Sequence, residues 1–311
     1  MIQTIATIIV PVFIIIGVGY FTTVTKIISN IEISALTKFS QSIALPILLF
    51  LNISDLDLGE VLNTDLLLSF YSSAVFCFAL GTLGSFYFFS KSLSDSISIG
   101  FCCLFSNSLL LGLPITELAH GTEALRFNFI IISFHAPFCY LLGILAMEIS
   151  LSEPNNKLTI IKKTFFTMFS NPLALGIALG FLSNIIRLKV PVYFEDALQL
   201  ISVAGIPVAL FALGGVLTQF NLLGNIPEAF MISIISLILH PILVITLGNH
   251  IFVLSQQELK SGVITAAMAP GVNAFIFATM YKKSIAVVAN AVIFSTAISI
   301  ITAAFWISYI K

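Results

Sequence analysis

The sequence predicts an all-α polytopic membrane protein: ten transmembrane helices in two inverted five-helix repeats, with helices 4 and 9 broken at mid-membrane. Three observations carry this. The composition is extremely apolar, ten apolar stretches have membrane-spanning length, and several features recur at one offset along the chain. Of 311 residues, 59% are hydrophobic and 9% charged, with mean hydropathy +1.11. A soluble domain carries about 25% charge, and no soluble fold of this size could hide so much apolar surface. The net charge of −1 gives no sign of a nucleic-acid partner.

The opening MIQTIATIIVPVFIIIGVGYF has neither a basic leader nor a small-residue cleavage site, so it reads as a retained first span. A bilayer core takes about 20 apolar residues per helix. That ruler marks spans at 4–24, 34–53, 64–89, 97–119, 125–149, 163–186, 196–218, 228–253, 258–280 and 285–309. The longest polar connection, 152–163, falls near the centre and separates a first repeat, 1–151, from a second, 164–311. VPVFIIIGVGYF in span 1 answers to NPLALGIALGFL in span 6, and ALPILLF in span 2 to GIPVALF in span 7. Pro11 and Pro172 are 172 − 11 = 161 residues apart, and Pro46 and Pro207 are 207 − 46 = 161 apart. The polar interruptions of spans 4 and 9, SNSLLLGLP at 106–114 and MAPGVNAF at 268–275, keep about the same offset. Five spans is an odd number, so the second copy must enter the membrane from the opposite side, a recurring transporter architecture.

Charge sets the orientation. Lys26, Lys38, Lys91, Lys157, Lys162, Lys163, Lys282 and Lys283 fall on one side; Arg126, Arg187, Lys189, Lys260 and Lys311 fall on the other. The positive-inside rule puts the first set in the cytoplasm and both termini outside.

The interruption in span 4 is the most informative segment. Asn107 lies about 15 Å from the start of that span at about 1.5 Å per residue, which is the midplane. Unpaired backbone there costs several kcal/mol unless it lines a cavity or is buried in protein. Pro114 removes an N–H and crowds the carbonyl of Leu110, so it and Gly112 are expected to break the helix. Ser106 and Asn107 are suited to cap a restarted half-helix. Pro270, Gly271 and Asn273 supply the mirrored break. Two half-helix N-termini meeting at the midplane, at 106–108 (with Ser108) and 270–273, would present N–H groups and positive dipole ends to an anion such as a carboxylate. No Lys or Arg lies in mid-span to do this by charge.

Other chemistry is absent. No Asp or Glu sits in the middle of a span, which weighs against a cation antiporter. HExxH, GxSxG and paired intramembrane Asp are missing, so an enzyme is not expected, and neither is a metal or cofactor. Cys77, Cys102, Cys103 and Cys139 lie in apolar runs and read as small packing residues. His135 and His240 lie at depth. Each reads either as a neutral buried histidine bonded to a neighbour or, for His135, as a substrate ligand or proton carrier.

SNSLLLGLP, NPLALGIALGF, GIPVALFALGG and MAPGVNAFIFA resemble the auxin efflux carrier family, which includes the plant PIN carriers and bacterial proteins described as malate permeases. The resemblance covers nearly the whole chain. It implies ten helices in two inverted repeats, with helices 1, 2, 6 and 7 as scaffold and helices 3–5 and 8–10 as a transport domain that moves like an elevator. It also implies a homodimer. The family's first crossover reads Pro-Asn, then a short run to Gly-x-Pro. Ser106 replaces that Pro, while Asn107, Gly112 and Pro114 match. In helix 5 the family spacing of Gln, Tyr and Glu falls on His135, Tyr140 and Glu148, with His in place of Gln.

The expected function is secondary transport of small organic anions, mono- or dicarboxylates such as malate or an auxin-like acid, across the bilayer of a bacterial inner membrane. Asn107 and Asn273 would orient the carboxylate, His135 and Tyr140 would close the site, and Pro46 and Pro207 would kink the scaffold. Two alternatives stay open: a sodium-coupled anion symporter on the same fold, and a channel or receptor-like protein that binds without cycling.

Overall fold

The computed structural model describes residues 2–151, 171–188, 190–220 and 224–310. The central link expected at 152–163, and the opening of the sixth span, lie outside the described residues. Apart from a one-turn helix at Leu58–Val61, the described helices are, in chain order, α1 (Ile2–Val24), α2 (Asn30–Ser54), α3 (Thr64–Phe88), α4 (Leu93–Leu104), α5 (Leu113–His120), α6 (Thr122–Leu151), α7 (Pro172–Ile185), α8 (Val192–Leu217), α9 (Ile226–His250), α10 (Gln256–Ala266), α11 (Val272–Tyr281) and α12 (Ile285–Tyr309). Seven of these described helices, α1, α2, α3, α6, α8, α9 and α12, are long and apolar enough to cross a membrane; α4, α7 and α11 are shorter apolar helices. Among the described residues the fold is all helical apart from one isolated antiparallel bridge, Ser106 with Pro270.

Polar residues at the edges of apolar runs set the helix starts. Ser29 and Glu32 form a reciprocal capping box on α2, and Ser255 and Glu258 form another on α10. Asn63, Ser92 and Asn171 cap α3, α4 and α7 by accepting backbone N–H bonds at the first turn.

Three prolines share a device that hydropathy does not reveal. A π-helical turn ends two residues before Pro46 (Ser40–Ala44), Pro114 (Ser108–Gly112) and Pro241 (Ile235–Leu239). In each, the residue before the proline bonds five back: Leu45 to Ser40, Leu113 to Ser108 and His240 to Ile235. A proline ring in a helix collides with the carbonyl four residues earlier. Widening the preceding turn relieves the crowding and frees that carbonyl. Before Pro241 the freed oxygen is Leu237 O, and the indole N–H of Trp306 takes it at 2.8 Å. Trp306→Phe is therefore expected to leave a buried carbonyl unpaired and to destabilise the protein by about 1–3 kcal/mol. A lower melting temperature with unchanged helix content would show it.

The first broken span differs from the expectation that Gly112 and Pro114 interrupt it. The chain leaves the helix earlier, at Phe105–Asn107, and restarts from the Ser106 and Asn107 expected to cap it, with Pro114 inside the restarted helix. The helix restarts at Ser108, and the π turn Ser108–Gly112 carries it past Pro114 without a break. In the second half of the chain α8 is interrupted at Ala204, just ahead of Pro207.

The chain divides into two compact units. The first comprises Met1–Val10, Asn63–Asn155 and Phe220–Lys311; the second comprises Pro11–Leu62 and Asn156–Gln219. Within the second unit α1 and α8 approach backbone to backbone. A Cβ on Gly19 would sit 1.9 Å from the Phe211 carbonyl, and one on Gly214 would sit 1.9 Å from the Ile16 carbonyl. Lipid supplies no hydrophobic drive between helices, so such close contact is a main source of their adhesion. The Asn184 amide donates to the carbonyls of Ile53, Ser54 and Leu56, closing the exposed end of α2. The first unit holds α3–α6 and α9–α12, and with them both interruptions.

Candidate functional site

The two interruptions meet. Asn107 N–H donates to the Ala269 carbonyl at 2.8 Å, and Gly271 N–H donates to the Phe105 carbonyl at 3.0 Å. These two bonds flank the Ser106–Pro270 bridge. Ser106 and Pro270 thus face each other as the pair that exchanges no hydrogen bond, and Pro270 is never asked for the N–H it lacks. Backbone buried in a membrane must be paired; here each interrupted helix supplies the other's partners.

From this crossover two half-helices depart. One begins with Asn107 as N-cap, whose Oδ1 accepts from Leu110 N–H at 3.3 Å and whose carbonyl accepts from Leu111 and Gly112. The other is α11, capped by Gly271, which has no side chain to offer. Among the described residues the N–H groups of Val272 and Asn273 find no acceptor. Ser106, Asn107 and Ser108 are all buried, and the Ser106 hydroxyl has no partner among the described residues.

Helix α6 runs past the crossover. His135, 2% exposed, sets Nε2 3.1 Å from the Ser106 carbonyl. A carbonyl only accepts, so Nε2 carries the proton, and Nδ1 faces the Cys139 thiol at 3.8 Å. The Tyr140 hydroxyl lies 3.3 Å from Asn273 Oδ1 and 3.4 Å from the Asn273 carbonyl. Phe105 packs edge-on against both His135 and Tyr140. The structure therefore brings Ser106, Asn107, His135, Tyr140, Pro270, Gly271 and Asn273 together, with Ser108 beside them and Gly112 and Pro114 one turn on. Pro46 and Pro207 belong to the other unit. Glu148 is bonded by Tyr281 at 3.2 Å, away from the crossover contacts.

Sequence reasoning missed three features. Phe101 and Phe277 stack with centroids 3.9 Å apart, joining α4 to α11. Asp95 accepts from Ser284 N–H and its hydroxyl, joining the outer ends of α4 and α12. Asn128, Thr116 and Thr265 form a fully buried polar knot. Only Asn128 left a trace in the sequence: it is polar, and it stands two helical turns before His135 on the same face.

The bond from His135 to Ser106 can be tested by substitution. His135→Gln keeps a side-chain N–H donor and is expected to transport within about threefold of the parent. His135→Phe removes the donor and should lose about tenfold or more, the worth of one buried hydrogen bond. Equal loss in both would place the contribution in the imidazole itself.

Among known proteins, the profile of a family described as membrane transport protein matches residues 4–307. The mouse protein named lysosomal cholesterol signaling protein is 26% identical over 310 residues, covering 90% of this chain and 34% of its own length. This chain thus spans about a third of that relative.

Proposed function

This chain belongs to the membrane transport protein family, the family of the auxin efflux carriers, and on that premise we propose that it is a secondary transporter of small organic anions. The observation that carries the reading is the crossover. It gathers two half-helix starts and two Asn side chains, with unpaired N–H groups at the start of α11, and none of the residues it brings together is a Lys or Arg. Donors and positive dipole ends of that kind suit one carboxylate in a low-dielectric setting. The substrate class is a mono- or dicarboxylate, malate-like or auxin-like. The Asn107 and Asn273 amides orient it, with His135 and Tyr140 beside them.

The remaining parts of the reading rest on pattern. The 161-residue offset and the paired interruptions support ten spans in two inverted repeats. The division into two compact units supports α1, α2, α7 and α8 as scaffold and the others as the moving bundle of an elevator. Lysine distribution supports a cytoplasmic central link and outer termini, and the bacterial inner membrane rests on the resemblance to compact bacterial members. A homodimer follows from the family resemblance. The cholesterol signalling in the mouse relative's name belongs to a chain about three times as long.

The test is flux into proteoliposomes of malate, succinate, lactate and indole-3-acetate, at two pH values, with and without sodium, and with counterflow. Saturable, sodium-independent uptake with counterflow of one acid is the expected result. Uptake only with sodium would select the symporter. Binding without counterflow would select a non-cycling channel or receptor. Silence with every acid from folded protein would remove the carboxylate reading.

A further inference from the structure

We infer that Asn128 is a positioning residue that braces the two helices on one side of the crossover and so holds the crossover in register. The inference deepens the reading of the crossover as the substrate site and rests on it for its functional consequence, though not for its structural test.

The two sides of the crossover are held by different chemistry. On one side α4 and α11 are joined by the Phe101–Phe277 stack. On the other side, α10 leads into the crossover and α5 leads away from it. Asn128 Nδ2 donates to Thr265 Oγ1 of α10 at 2.7 Å and to Thr116 Oγ1 of α5 at 3.3 Å. The Thr265 hydroxyl proton is committed to the Ser261 carbonyl at 2.7 Å, so Thr265 Oγ1 can only accept from Asn128. The Ser261 hydroxyl donates in turn to the Ala124 carbonyl at 2.7 Å, fastening α10 to α6 one turn further out. Asn128, Thr116, Thr265 and Ser261 are all 0% exposed.

The amide orientation has a consequence. Flipping it would set Oδ1 against Thr265 Oγ1, which has no proton to give. In the observed orientation Oδ1 has no partner among the described residues. Leucine has the same branching at Cγ and no orphan oxygen, so the amide's particular contribution is its two donated bonds. One side chain bonded to both helices fixes their spacing. That spacing decides whether Asn107 N–H reaches Ala269 O and Gly271 N–H reaches Phe105 O. Along α6, Asn128, His135 and Tyr140 are separated by about 10.5 Å and about 7.5 Å of axial rise. One helix, with Pro137 between its second and third levels, thus touches the half-helix spacing, the crossover carbonyl and Asn273 in turn.

Amide hydrogen exchange on the full-length protein in nanodiscs tests this without a known substrate. The variants are Asn128→Leu, Thr265→Val and Thr265→Ser. In Asn128→Leu and Thr265→Val, exchange in peptides covering 105–112 and 267–274 should rise by about tenfold, while peptides from α8 and α12 stay at the parental rate. Thr265→Ser keeps the oxygen and should match the parent. Unchanged exchange at the crossover, or a rise spread equally over α8 and α12, would overturn the brace. If Asn128→Leu does not fold, the Thr265 pair decides alone. Uptake of the same four acids separates the two claims. Parental protein that moves none of them sinks the transport reading and leaves the exchange result to judge the brace. Where the parent transports, the folded Asn128 variant should show lower turnover.

Discussion

Asn107→Ala is expected to lower uptake by about ten- to a hundredfold while leaving a folded, membrane-inserted protein. The figure follows from one hydrogen bond to a charged group, worth about 1.5–3 kcal/mol, at about 1.4 kcal/mol per factor of ten. Alanine removes two things at once: the Oδ1 that accepts from Leu110 N–H, and the amide donor at the mouth of the half-helix. Asn107→Ser separates them. Serine caps a helix about as well as asparagine, so its melting temperature should match the parent, yet it has no amide to donate. Transport lost in both variants assigns the effect to the donor. Transport restored by serine, whose hydroxyl both caps and donates, would mean that the amide itself is not required, and the proposed Asn107 amide contact would be lost.

The same residue shows which parts of the site could be read in advance. Asn107 and Asn273 stand out as polar residues in apolar runs, because burying a polar group in a membrane is expensive enough to need a reason. Helix existence was legible for a related reason: the bilayer demands a length, so a stretch such as 285–309 coincides with its helix, Ile285–Tyr309. Where the chain breaks was legible in part: Ser106 and Asn107 marked the restart, whereas Gly112 and Pro114 do not mark the break. Pro114 drew attention because proline cannot continue a helix, but a π turn accommodates it and the break falls at Phe105–Asn107. That position depends on pairing with residues 269–271, more than 150 residues away, which no local rule can see. The polar knot was hidden in the same way. Asn128 finds one partner 12 residues off and the other 137 residues off, and neither Thr116 nor Thr265 is unusual in its own segment.

Pro270→Ala is the second large effect expected, and its cause is backbone rather than side chain. Pro270 is buried, and the bonds on either side of it run from Asn107 to Ala269 and from Gly271 to Phe105. Alanine would bring an N–H into a position that has no acceptor, at about 1–3 kcal/mol. It would also lift the restraint that proline places on α10. That helix ends at Ala266, and Ala267, Met268 and Ala269 followed by the introduced alanine would make an unbroken run of strong helix formers. Extension by one turn would satisfy the new N–H inside the helix, but it would withdraw the Ala269 carbonyl from Asn107 and the Gly271 N–H from Phe105. The substitution therefore replaces a crossover with a longer helix. Uptake should fall by more than about tenfold, with helix content by circular dichroism equal to the parent or slightly higher. Uptake at the parental rate would mean that the Ser106–Pro270 pairing holds its register without proline, and that the crossover is fixed by its surroundings rather than by its own sequence.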